Sequence, residues 1–152
     1  GQYWPIRPLA TCTVWLAIDD ANVENGCLRF IKGSHKEKKL KSHNINDNKN
    51  LTLNQELDES EYNEKDAVNL ILKRGQISLH DVYLVHGSEA NNSSMARRAV
   101  TMRFMPTSSV FDHQMVKDKN LFSKLNASKY QDRKIYHMRG RDISGKNNLT
   151  YI

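Results

Sequence analysis

The chain has 152 residues, of which 38% are hydrophobic and 26% charged, and it carries a formal net charge of +6. That size suits one domain with one core, and no run of about 18 apolar residues is present to form a membrane-spanning helix. Gly1-Gln2-Tyr3-Trp4-Pro5 lacks the basic and apolar regions of a secretory leader. The expectation is therefore a cytoplasmic protein whose two cysteines, Cys12 and Cys27, are reduced thiols buried in strands. Residues 112–152 hold nine Lys/Arg against four Asp/Glu. These basic residues are scattered among Asp and Asn rather than interleaved with aromatics, which argues against a nucleic-acid partner.

In chain order, Thr11-Cys12-Thr13-Val14-Trp15-Leu16-Ala17-Ile18 is β-branched and aromatic, and predicts a strand. Alternation puts Thr11, Thr13, Trp15 and Ala17 on one face and Cys12, Val14, Leu16 and Ile18 on the other. Asn25-Gly26 is a strong turn signal, since both residues tolerate positive φ. Cys27-Leu28-Arg29-Phe30-Ile31 predicts a second strand, stopping at Gly33-Ser34. Residues 32–66 open with lysines and close with acids, and predict a long loop; a rim or lid is one frequent reason for such an excursion. Strands resume at Ala67–Leu72, Gln76–His80, Val82–His86 and Ala99–Met105, where Pro106 ends the last. A weak helical pattern follows over residues 113–125, and then a polar, turn-rich tail. Many short strands around one insertion point to a sandwich or barrel of jelly-roll type.

The chemistry concentrates in residues 84–98. His86 ends an apolar stretch beside Gly87, and Arg97 follows eleven residues later across a Ser/Asn-rich turn. The two flanking strands are expected to pair and to bring both side chains to one cavity. A neutral imidazole is a good ligand for a divalent metal, and a guanidinium clamps a carboxylate bidentately. On spacing alone, a satisfied core histidine is the commoner reading of His86.

The sequence resembles the phytanoyl-CoA dioxygenase family of non-haem iron(II), 2-oxoglutarate-dependent oxygenases. The resemblance rests on Tyr3-Trp4-Pro5-Ile6-Arg7-Pro8, Val14-Trp15-Leu16-Ala17-Ile18-Asp19-Asp20, Glu24-Asn25-Gly26-Cys27-Leu28, Gly33-Ser34-His35-Lys36, and His86-Gly87-Ser88 with Asn91 and Arg97. The tail Arg139–Asn147 is a weaker match. The resemblance implies an all-β double-stranded β-helix (jelly-roll, cupin-like) with a long loop insertion and a short C-terminal helical segment. Residues 1–152 would form one domain, the C-terminal portion of such an oxygenase, with the leading strand and helices missing. It also implies Fe(II) and 2-oxoglutarate as cofactors and a small organic substrate.

Residue by residue, the resemblance makes His86 the distal iron ligand and Arg97 the partner of the distal 2-oxoglutarate carboxylate. Ser88 would lie near that carboxylate, and Trp15 would line the pocket, although core packing explains Trp15 equally well. The family's H-x-D pair, which supplies the other two ligands, would lie upstream of Gly1. His80-Asp81 has the wrong spacing for it, and His80 is expected to be structural. One ligand of three predicts an isolated chain that is inactive and that self-associates through exposed sheet edges. The alternatives are a halogenase relative, in which the missing carboxylate ligand is replaced, and a non-catalytic β-sandwich that binds a small molecule.

Overall fold

The computed structural model describes residues 4–46, 48, 55–115 and 132–152. It divides into two compact units, residues 12–104 and the pair of segments 1–11 and 105–152.

The 12–104 unit is built from two three-stranded antiparallel sheets. In the first, β2 (Cys12–Ala17) lies between β7 (Ile77–Asp81) and β9 (Ala99–Phe104). In the second, β3 (Leu28–Ile31) lies between β6 (Ala67–Leu70) and β8 (His86–Ser88). The alternation expected for β2 is observed: Thr13, Trp15 and Ala17 are buried and the intervening residues are not. Trp15 and Ala17 pack with Ala21, Cys27 and Leu72 into the core, joined by Leu28, Leu70 and Ala99 from both sheets. The sheets therefore meet face to face, with their inner faces set by strand parity.

Register fixes which side chains share a row, although Val68, His86, Ser88, Thr101 and Arg103 are themselves exposed. Across the first sheet, His80, Thr13 and Arg103 form one row, and Ser78, Trp15 and Thr101 the next. Across the second, Val68, Phe30 and His86 form one row, and Leu70, Leu28 and Ser88 the next.

The insertion at residues 32–66 is not a plain loop. It opens with a short 3-10 turn at Ser34–Glu37 and contains a hairpin of β4 (His43–Ile45) with β5 (Gln55–Leu57). Two further 3-10 turns, Glu59–Glu61 and Glu64–Asp66, are capped by Asp58 and Asn63 side chains that accept the Ser60 and Lys65 amides. Its charge runs therefore decorate local structure that the composition alone concealed.

The expected stretch at 82–86 becomes a turn leading into β8, its geometry set by the Tyr83 amide donating to Asp81 (2.8 Å) and the Val85 amide to Ser34 Oγ (2.9 Å). Cys12 is exposed and only Cys27 is buried, a correction to the expectation of two buried thiols. Parity is the reason, because Cys12 shares the outer face of β2 with Val14 and Leu16.

In the other unit, β1 (Ile6–Arg7) pairs with β10 (Val110–Phe111) around a small core of Trp4, Ile6 and Phe111. The polar tail has a structural task here. Asn147 accepts the Phe111 amide and donates to the Ser109 carbonyl (both 2.9 Å), and Asp142 holds Asn147 and Ser144 in turn. β11 (Ile135–His137) pairs in parallel with β12 (Leu149–Tyr151). The helical pattern expected over residues 113–125 falls largely on residues 116–131, outside those described.

Candidate metal and cosubstrate site

The site begins at the turn Asn22–Gly26. Asn25 is fully buried; its Oδ1 accepts the Asn22 amide (2.8 Å) and its Nδ2 donates to the carbonyls of Asp20 (2.7 Å) and Ala96 (3.4 Å). Gly26 has φ +75°, and a Cβ there would lie 2.5 Å from the Glu89 carbonyl oxygen. Only glycine allows so close an approach. The turn is thus pressed against the 89–98 segment, which the Asn92 amide also ties to the Glu24 carbonyl (3.1 Å).

That anchoring positions Arg97. On one side stands Ala96, held by Asn25. On the other, Arg98 makes a bidentate pair with Asp19, with Nε and Nη2 each 2.9 Å from a carboxylate oxygen. Between these fixed points the Arg97 guanidinium sits over the Trp15 ring, 5.8 Å from its centroid. A rigid cation stacked on an aromatic face is suited to a planar carboxylate. Ser88 lies in register with Leu28, which packs against the Trp15 cluster.

The imidazoles lie one row further along. His86 Nδ1 donates to the Leu84 carbonyl (2.7 Å), which fixes the tautomer and leaves the Nε2 lone pair for a metal. Its ring packs against Phe30 (centroids 6.1 Å apart) and His80 (5.0 Å). His86 is exposed to solvent, but desolvation by the surrounding protein lowers its pKa against the opposing pull of the Leu84 carbonyl, and the Arg103 charge lowers it further. His80 is buried, and burial first, then the His86 and Arg103 charges, push its pKa down to about 4. Both shifts favour the neutral ring, the state in which an imidazole binds a metal.

One expected relation is corrected. The strands carrying His86 and following Arg97 do not pair with each other: β8 pairs with β3, and β9 with β2. They belong to facing sheets, because the 89–98 segment crosses the sandwich instead of forming a hairpin. His86 with Phe30 and His80 defines one end of the interior, and Arg97 with Trp15 the other. The fit to a metal is partial. His86 offers one donor of the right kind, and no group of three or more His, Cys, Asp or Glu that could hold a metal occurs among the described residues. A cleft of about 250 Å³ lined by Lys32, Lys41, Glu61 and Tyr62 includes none of these site residues. Among the described residues, no helix is long and apolar enough to cross a membrane.

Two facing antiparallel sheets make a jelly roll, the fold shared by solved structures to which this chain is similar. EvdO2 from Micromonospora carbonacea var. aurantiaca, solved with 2-oxoglutarate, is 25% identical with a TM-score of 0.56 over 68% of this chain and 40% of that one. The non-haem monooxygenase ThoJ shares the fold at 22% identity, with a TM-score of 0.55 over 71% of this chain and 38% of that one.

Residues 1–99 match the family model for phytanoyl-CoA dioxygenase, and the chain belongs to that family. It is 37% identical over 100 residues to a phytanoyl-CoA dioxygenase domain-containing protein 1 homolog of Dictyostelium discoideum, covering 64% of this chain and 36% of the relative. It is 31% identical over 110 residues to the human peroxisomal phytanoyl-CoA dioxygenase, covering 68% and 31% respectively. The chain thus spans about a third of the length of the curated relatives it matches.

Proposed function

We propose that the full-length protein is an iron(II)- and 2-oxoglutarate-dependent dioxygenase that hydroxylates a small organic substrate. The observation that carries this reading is the placement of Arg97. It is a guanidinium fixed by anchors on both sides and laid over Trp15, in an interior that also presents a neutral imidazole with a free Nε2. Arg97, with Ser88 and Trp15, holds the distal carboxylate of 2-oxoglutarate, and His86 supplies one metal ligand. The remaining two ligands come from a segment outside this chain. When bound, iron and 2-oxoglutarate supply the oxidising chemistry, and the chain's residues bind, orient and exclude water. The 32–66 insertion forms part of the substrate rim. With His86 the one metal donor of this site among the described residues, the 152-residue chain tested alone is expected to be inactive and to self-associate through the edges of its sheets.

The test is anaerobic titration of 2-oxoglutarate into the iron(II)-loaded full-length protein. Arg97→Ala is expected to weaken binding at least tenfold, because a charge-assisted pair is lost, and His86→Ala to abolish stoichiometric iron. Tight 2-oxoglutarate binding unaffected by Arg97→Ala overturns the assignment.

A further inference from the structure

His80 is the buried group that this site does not yet use. It is 7% exposed, faces inward from β7 opposite Thr13, and reaches across the sandwich to contact Phe30 (5.4 Å) and His86 (5.0 Å) on the facing sheet. Its Nδ1 is buried and has no hydrogen-bond partner among the described residues. One register step away on the same strand face, opposite Trp15, the Ser78 hydroxyl is in the same condition. Buried polar atoms in folded proteins are nearly always satisfied, and each exception calls for an absent water or ligand. A histidine kept only for packing would be better replaced by an apolar ring, since the unmet imidazole carries a desolvation penalty. Ser78 stands opposite Trp15, over which Arg97 lies, and His80 opposite Thr13 in contact with His86; the third such atom among the described residues, Thr11 Oγ1, belongs to the other unit.

We infer that His80 is a cosubstrate-binding residue whose Nδ1–H donates a hydrogen bond to the carboxylate of 2-oxoglutarate at the metal end of the site, opposite the carboxylate held by Arg97. This rests on the function proposed above. The interior then grips the diacid at both ends, by a cation stacked on Trp15 at one and an imidazole N–H braced by Phe30 and His86 at the other. Ser78, between them, faces the carbon chain of the same guest or a water that travels with it.

The experiment is calorimetric titration of 2-oxoglutarate into the manganese(II)-loaded full-length protein, comparing the parent with His80→Leu, His80→Asn and His80→Gln. Asn places an amide donor where Nδ1 stands, and Gln places it nearer the position of Nε2. His80→Leu and His80→Gln are expected to raise Kd about ten- to a hundredfold, the worth of a hydrogen bond to a charged group, while His80→Asn stays within about threefold. His80→Leu should melt no lower than the parent in the absence of ligand, because it removes an unpaired buried nitrogen.

Unchanged affinity in His80→Leu overturns the inference, as does equal behaviour of His80→Asn and His80→Gln; the second comparison stands alone if His80→Leu fails to fold. A parent that does not bind 2-oxoglutarate overturns the proposed function and this inference together. A parent that binds, with all three variants unaffected, overturns this inference alone.

Discussion

On the inner face of the β7-β2-β9 sheet, Thr13, Ser78 and His80 are buried beside Trp15. On its outer face, Leu79 and Ile77 are 63% and 52% exposed, with Val100, Met102 and Phe104 alongside them. An ordinary sandwich arranges these the other way, with apolar residues inward and polar residues toward water. Scattered exposed apolar residues are unremarkable, but a buried polar row and a contiguous exposed apolar face each carry information. The inward polar row is unfavourable for packing, as expected if it serves the binding interior proposed above, and the outward face is apolar and exposed.

Substitutions at matched positions can break or sharpen this contrast. The largest effect is expected for Trp15→Ala, which removes the biggest side chain of the inner cluster and should cost about 3–5 kcal/mol in denaturant unfolding. An effect below 1 kcal/mol would mean that the cluster is not the core. Leu79→Thr, on the outer face of the adjacent strand, should change stability by no more than about 0.5 kcal/mol while reducing self-association in sedimentation; a large destabilisation would show that the face is already covered.

The smallest effect concerns the Asp19–Arg98 pair beside the site. Hydrogen bonding to Arg98 lowers the Asp19 pKa from 3.8 to about 2. The unfolded chain therefore takes up this proton at higher pH than the folded one. The stabilisation is present above pH 4 and is lost as pH falls toward 2. Asp19→Asn should flatten that part of the acid-unfolding curve and lower stability by a constant amount above pH 5.

Strand parity was legible where one residue type dominated a face. That Thr13, Trp15 and Ala17 share a face follows from alternation, though which face is buried does not, and the Asn25-Gly26 turn follows from the positive φ that Gly26 adopts. The identities of Arg97 and His86 as residues of interest were also legible, through their spacing and the family resemblance. Their placement on facing sheets was not, because a Ser/Asn-rich connector of this length serves a hairpin or a crossover equally well, and only long-range pairing decides between them. His80 was harder still. In Ile77-Ser78-Leu79-His80 the alternation is perfect, but hydropathy assigns Ile77 and Leu79 to the interior and the fold does the reverse. A period of two fixes which residues share a face and leaves open which face is buried. The usable signal was the pairing of β7 with β2, which sets His80 opposite Thr13 rather than opposite Val14.

The two thiols stand on opposite sides of this arrangement. Cys27 is sealed in the core, where burial raises its pKa and suppresses the reactive thiolate, and Cys12 faces outward. An oxidant reaching the native protein therefore finds a single thiol, and that thiol has no intramolecular mate. Storage without reductant would join molecules in pairs through residue 12, rather than close a loop within one.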